Sequence, residues 1–176
     1  MKSVITCAGK GTRLLPFTKE LPKEMAPVFL NGTEGIELKP LLQLIFENLH
    51  TVGIKEFCFV TGKTKRSIQD HFHPNVIESS PKQLSNYFDM LRNSTLFLID
   101  QQSPKGFGDA VLPNKSFINN DNFILHAGDV AFLPHYLKPL EDLLDLEKTD
   151  VDAAFFVREV EDPERHGIIS SSVTND

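Results

Sequence analysis

Short apolar runs alternate along this chain with segments of helical period, and that alternation restricts the fold more than any other feature. Ser3 to Ala8, Glu56 to Thr61, Thr95 to Ile99 and Phe123 to His126 read as strands. Between the first two, Lys39 to Val52 sets Leu41, Leu42, Leu44, Ile45, Phe46 and Leu49 at helical spacing, and Gly53 supplies a stop. Thr64 to Phe72 predicts a short helix with Thr64 as N-cap and Pro74 ending it. Pro81 to Asn93 and Pro134 to Leu146 predict two more, the last with Pro at its start. Gly108 to Phe117 reads as a short helix or turn broken by Pro113. Asp152 to Val160 and Gly167 to Val173 read as fifth and sixth strands, and polar Asn31 to Glu37 as a surface loop. Continuously apolar strands separated by helices indicate an α/β sandwich with a mostly parallel sheet. A length of 176 residues suits one domain with a sizeable core.

Such a sheet places its ligand beyond the carboxyl ends of its strands. The first strand empties into Gly9 and Gly11, followed by Arg13, Lys19 and Lys23. The third ends near Asp100-Gln101-Gln102 and the fourth at Ala127-Gly128-Asp129, so three polar loops should share one crevice. Glycines admit a ligand close to backbone N–H groups, and the cations add full charge. The whole chain carries a formal net charge of −6, so these cations form a local exception, as a focused anion site would. An acidic surface argues against nucleic-acid binding.

Other readings of these residues compete. A dinucleotide fingerprint fails because Leu14 stands where the third glycine belongs, and no Walker A sequence is present. Gly9 and Gly11 could be plain turn residues, and the lysines a solvated face. Asp129 could be a helix N-cap. Gln101 could be an ordinary strand end, with Gln102 its rival. His71-x-His73 and His126 lack the spacing of a zinc site. Cys7 and Cys58 lie inside apolar runs, as core thiols of a reducing compartment do. No apolar stretch reaches the length of a signal peptide or a membrane span, so a cytoplasmic protein away from membranes is expected. A homo-oligomer fits the apolar helices, whose core and interface faces are not separable by pattern.

Five motifs in order carry a resemblance. They are Gly9-Lys10-Gly11-Thr12-Arg13 with Pro22-Lys23-Glu24-Met25; Lys39-Pro40-Leu41; Gln101 with Lys105-Gly106-Phe107-Gly108-Asp109-Ala110-Val111; Ala127-Gly128-Asp129-Val130; and Asp162-Pro163-Glu164-Arg165-His166-Gly167. Together they resemble the signature of the sugar-phosphate nucleotidylyltransferases, and within these most closely the UTP–glucose-1-phosphate uridylyltransferases, with the thymidylyltransferases next. The resemblance implies a three-layer Rossmann-like sandwich. It also implies transfer of a nucleotidyl group from UTP or dTTP to a sugar 1-phosphate, glucose 1-phosphate foremost, with release of pyrophosphate. Ala8, Gly9, Gly11, Thr12, Gln101 and Gly106 would then bind nucleotide, with Gln101 reading the pyrimidine edge. Arg13 and Lys23 would be catalytic, Arg13 on the departing pyrophosphate and Lys23 beside the joining phosphates. Asp129 would hold Mg²⁺, and Gly167 would touch the sugar. Two polyanions must be joined, so positioning and charge neutralisation suffice without a protein nucleophile.

Two departures stand out. Asp109 occupies a position where the uridylyltransferase pattern has His. The chain also stops at Asp176, before the pattern's Glu-Lys-Pro lysine and its second metal-binding Asp. The expected organisation is one domain over 1–176, incomplete at its C-terminus. A nucleotide-binding half would cover about 1–130, and part of a sugar-binding half 131–176. The alternative to an enzyme is a truncated or degenerate relative that binds nucleotide without turnover.

Overall fold

A computed structural model describes residues 1–32, 35–63, 65–73, 82–102, 106–133, 137–165 and 167–169, with backbone alone for 82, 83 and 165. Four strands form a parallel sheet: β1 (Lys2–Thr6), β4 (Glu56–Thr61), β5 (Thr95–Asp100) and β6 (Phe123–Ala127). Their order is β5-β4-β1-β6, so β1 is central, with β4 on one side and β6 on the other. Ser3 is paired with both Phe57 and Ile124, and Thr6 with both Val60 and Ala127. All three strands therefore end level, and the chain reversal beside β1 creates the crevice expected of such sheets.

Period-two alternation sorts the strand residues between two layers. Ile5, Cys7, Phe57 and Phe59 face a core built with α1 (Leu41–Thr51), α2 (Arg66–Phe72), α3 (Lys82–Arg92) and Leu140 of α5 (Lys138–Asp145). Val4, Cys58 and Val60 face the other way, onto Ala110 and Phe117. There a 3₁₀ segment (Gly108–Asn114) leads into α4 (Lys115–Ile118), which accommodates Pro113 as the sequence requires. The sandwich is thus α/β in three layers around a parallel sheet. Helix α1 ends at Gly53, which adopts φ +105° and lets the Ile54 N–H reach back to the Leu49 carbonyl at 3.0 Å. No described helix is long and apolar enough to cross a membrane.

Three expectations are corrected. Of Asn31 to Glu37, the described residues 31–32 and 35–37 lie in two antiparallel strands, β2 (Pro27–Gly32) and β3 (Gly35–Pro40). Phe29 pairs with Leu38 and Asn31 with Ile36, all on the exposed face. The polar residues masked alternation on either side of them. Lys39 and Pro40 consequently close β3, and the helix begins only at Leu41. Lys39 braces β3 on α1 through Glu47 at 2.7 Å. Asp152 to Val160 forms no strand with any described residue, and Phe155 and Val157 are exposed. Its β-forming side chains are present, but a strand exists only against a neighbouring backbone. Phe156 packs edge-on against Phe132, with ring centroids 5.3 Å apart. Residues 167–169 likewise form no strand among the described residues, and the remainder of the expected sixth strand lies outside them, as do Thr64, Pro74, Pro81 and Pro134.

Candidate functional site

Hydrogen bonds carry the sheet past its strand ends and set the loops side by side. The Cys7 N–H donates to the Val60 carbonyl at 2.7 Å, Gly128 to Thr6 at 2.9 Å, and Gln101 to Thr61 at 2.8 Å. The loop leaving β1 turns sharply at Gly11, where φ is +65°. An added Cβ there would sit 2.9 Å from Cγ2 of Thr18, whose hydroxyl donates to the Gly11 carbonyl at 2.7 Å. Glycine is required twice over, by conformation and by space. Thr12 and Arg13 follow in an exposed 3₁₀ turn. A cavity of about 140 Å³ opens beside this loop, lined by Ala8, Gly9, Lys10, Lys19, Lys23 and Lys65 among others.

Lys23 is the hub. Its Nζ and Cε lie over Gly9, each 3.4 Å from where a Cβ would stand, and its ammonium is hydrogen-bonded to Oδ2 of Asp129. The first loop and the end of β6 thus meet in one ion pair. Lys23 can reach outward because Pro22 and Ala26 confine it to a single 3₁₀ turn, Lys23–Met25. The same turn points Glu24 inward. Glu24 is fully buried, and both its oxygens accept from Nζ of Lys65, at 2.8 and 2.7 Å. Burial pushes the Glu24 carboxyl up, and Lys65 pulls it back down. Burial, reinforced by Glu24, also raises the Cys7 thiol well above its ordinary value. Cys7 is therefore a protonated core residue and no nucleophile.

At the other flank, Gln101 is buried at the end of β5 and its Nε2 donates to Oδ2 of Asp109 at 2.7 Å. Gly106 is exposed with φ +134°, a backbone that side-chain-bearing residues rarely adopt. Ala8, Gly9, Gly11, Lys23 and Asp129 are brought together around the β1 loop, with Thr12 and Arg13 at its rim and Gln101 on the same sheet edge. Gly167 is exposed in the tail and does not line the cavity, and Lys105 lies outside the described residues. Glu24 and Lys65 were not singled out by sequence reasoning. The cue for Lys65 was present in Gly62-Lys63-Thr64-Lys65, cations directly after a strand-end glycine.

Among the described residues no three His, Cys, Asp or Glu side chains converge on a point that could hold a metal. Asp129 offers one partly exposed carboxylate at the crevice. That donor set fits Mg²⁺ held by a single carboxylate together with ligand phosphates, the usual arrangement for this cation, and does not fit an all-protein cage.

A mostly parallel α/β sheet with a glycine loop, a lysine and a carboxylate at its switch point defines a phosphate-handling class of protein. The sequence matches the nucleotidyl transferase family over residues 2–176, and the chain belongs to that family. It is 38% identical over 180 residues to UTP--glucose-1-phosphate uridylyltransferase 2 of Streptococcus pyogenes, covering 96% of this chain and 58% of the relative. A putative UTP--glucose-1-phosphate uridylyltransferase of Methanocaldococcus jannaschii is 38% identical over 146 residues, 79% of this chain and 49% of the relative. A UDP-glucose pyrophosphorylase solved in complex with UDP-glucose superposes with a TM-score of 0.60 at 31% identity, covering 82% of this chain and 53% of that one. The fold is that of the nucleotide-diphospho-sugar transferases, and the chain spans about half the length of the relatives it matches.

Proposed function

We propose that this chain binds a pyrimidine nucleoside triphosphate in the crevice and supports transfer of its nucleotidyl group to a sugar 1-phosphate, with UTP and glucose 1-phosphate as the preferred pair and dTTP as the second nucleotide. The observation that carries this reading is Lys23, which spans from Gly9 to Asp129 and so links the phosphate loop to the metal-binding carboxylate. Backbone from Ala8 to Thr12 cradles the triphosphate. Arg13 donates its fork to the pyrophosphate as it leaves. Lys23 turns from Asp129 to the joining phosphates, a short swing for a flexible stem. Asp129 would then be the residue that holds Mg²⁺, which when bound would neutralise phosphate charge. Gln101 reads the base edge, Gly106 lets the base lie against backbone, and Gly167 reaches the sugar. Residues 1–130 form the nucleotide half, and 131–176 belong to the sugar half. Two buried free thiols support a reducing compartment such as the cytoplasm.

A second reading has its own support. Residues 151–159 are exposed and carry no strand, and Gly167 is exposed and does not line the cavity. These observations favour a polypeptide that binds nucleotide and turns over slowly or not at all. Pyrophosphate release with UTP or dTTP and a panel of sugar 1-phosphates separates the two, beside a thermal-shift titration with UTP and Mg²⁺. Binding with turnover supports the enzyme, and binding without it supports the second reading. No thermal shift with UTP, or one unchanged by Arg13→Ala and Asp129→Ala, rejects both.

A further inference from the structure

Gln101 and Asp109 form a side-chain pair that the mechanism above leaves unexplained. Gln101 is buried, and its backbone is fixed by the bond to Thr61 at the end of β4. That leaves rotation of the terminal amide as its main freedom. An amide presents an acceptor at one end and donors at the other, and the two are nearly the same shape. Asp109 removes the ambiguity. An ionised carboxylate only accepts, so the end of Gln101 that meets Oδ2 at 2.7 Å must be the NH₂ end. A flipped amide would set two acceptors against each other beside a low-dielectric core. Asp109 is itself held at the start of the Gly108–Asn114 segment, whose Ala110 and Asn114 are buried in the second core layer. The partner that sets the amide is thus built into the sandwich.

We propose that Asp109 selects the base by fixing the amide of Gln101 in one of its two orientations, which rests on the reading above that Gln101 faces the base. With Nε2 tied to Asp109 by one hydrogen, Gln101 presents Oε1 as acceptor and its second Nε2–H as donor. The imide edge of uracil or thymine is the complement, N3–H donating and a neighbouring carbonyl accepting. Cytosine shows the reverse pattern, an N3 acceptor beside an amino donor, and matches only the flipped amide. The same pair does not distinguish uracil from thymine, whose edges differ by a methyl group away from these atoms. Asp109 acts through Gln101 and is a positioning residue.

The test is direct binding of the magnesium complexes of UTP, dTTP and CTP to the whole chain, by calorimetry or competition. Unmodified protein should bind UTP and dTTP on the order of 30-fold or more tighter than CTP, the effect of mispairing a buried polar group. Asp109→Asn offers either a donor or an acceptor to Gln101, so the amide is free to flip. The CTP-to-UTP ratio of Kd should fall toward one, UTP binding should weaken only about two-fold as half the amides point the wrong way, and the UTP-to-dTTP ratio should not move. Asp109→Ser, with a hydroxyl that also works both ways, should do the same and serves if the Asn variant does not fold. A merely structural Asp109 would weaken all three nucleotides together. If the unmodified chain prefers UTP over CTP and both variants keep that preference, the role of Asp109 is overturned while the nucleotide site stands. If the unmodified chain binds none of the three, or all alike, the base-reading assignment of Gln101 falls and this inference with it.

Discussion

Lys23 and Glu24 are neighbours in one 3₁₀ turn, yet the two ion pairs they form are opposite in kind. Glu24 and Lys65 have side chains 0% and 7% exposed, and both carboxylate oxygens are engaged. Lys23 and Asp129 are 23% and 41% exposed, and their contact looks into the crevice. A turn with about three residues per revolution sends adjacent side chains in different directions, so one short segment can serve both the core and the site. The buried pair has lost its water and can be given up only at high cost. The open pair stays hydrated and can exchange partners. The contrast separates what holds the crevice together from what works inside it.

The largest effect expected from that contrast is on folding. Glu24→Ala or Lys65→Ala should each cost about 3–5 kcal/mol, because either leaves a lone charge in the core. Replacing both together, Glu24→Leu with Lys65→Met, should recover much of the loss, and urea unfolding of the singles and the double measures it as a double-mutant cycle. Single substitutions costing under about 1 kcal/mol would put both pairs in the same class and dissolve the comparison. Next comes Lys23→Ala, which should leave folding within about 1 kcal/mol of the parent. Its effect belongs to the ligand: triphosphate affinity should fall roughly 10- to 100-fold with the loss of a charged hydrogen bond. Calorimetric titration with UTP and Mg²⁺ decides this, and an unchanged affinity removes Lys23 from the phosphate site.

Gly128 touches both pairs, packed near Glu24 and directly preceding Asp129. A Cβ there would stand 2.7 Å from the Thr6 carbonyl, 2.8 Å from Cys7 Sγ and 3.1 Å from Glu24 Cγ. Backbone of the central strand cannot yield, so Gly128→Ala should destabilise by about 1–3 kcal/mol, read from chemical denaturation. It should also displace Asp129, which follows it directly, and weaken the magnesium dependence of nucleotide binding. Destabilisation without that second change would mean that the two pairs are mechanically independent.

Much of this was legible in the sequence, and the remainder was not for physical reasons. Continuous apolar runs marked β1, β4 and β6 because strands covered on both faces are written in local composition, and β5 carries such a run although Phe97 and Leu98 are exposed at the sheet edge. The glycine loop, Lys23 and Asp129 were legible because strand-end chemistry is local too. The partnership of Glu24 with Lys65 was not, since nothing near either residue records a contact across 41 positions. Asp109 was visible only as an added carboxylate near the nucleotide, and its hydrogen bond to Gln101 depends on how the 3₁₀ segment docks. Asp152 to Val160 carries a strand's residues yet pairs with no described strand, since pairing belongs to the neighbour as much as to the segment. The β2–β3 pair failed in the reverse sense, polar residues hiding alternation in Val28, Leu30, Ile36 and Leu38.

The smallest expected effect concerns acid. His126 lies on β6, three positions before Asp129, and donates from Nδ1 to the Ala127 carbonyl at 2.7 Å. Burial holds its imidazole below the ordinary value, with Ala127 and Asp129 only partly offsetting it. His71, bonded to Gln43 at 3.0 Å and stacked on Tyr87, is lowered by burial as well. Both therefore take up protons more readily in the unfolded chain. Their contribution to stability is present above the unfolded value of about 6.5 and is lost as pH falls below it toward the folded values. Thermal midpoints should decline from pH 7 to pH 5, and His71→Gln with His126→Gln should flatten that decline. Asp129→Asn removes a favourable neighbour of protonated His126 and should steepen it, while Lys23→Ala, which leaves the carboxylate in place, should not. A slope unaffected by Asp129→Asn would mean that the open pair, unlike the buried one, exerts no hold on the core beneath it.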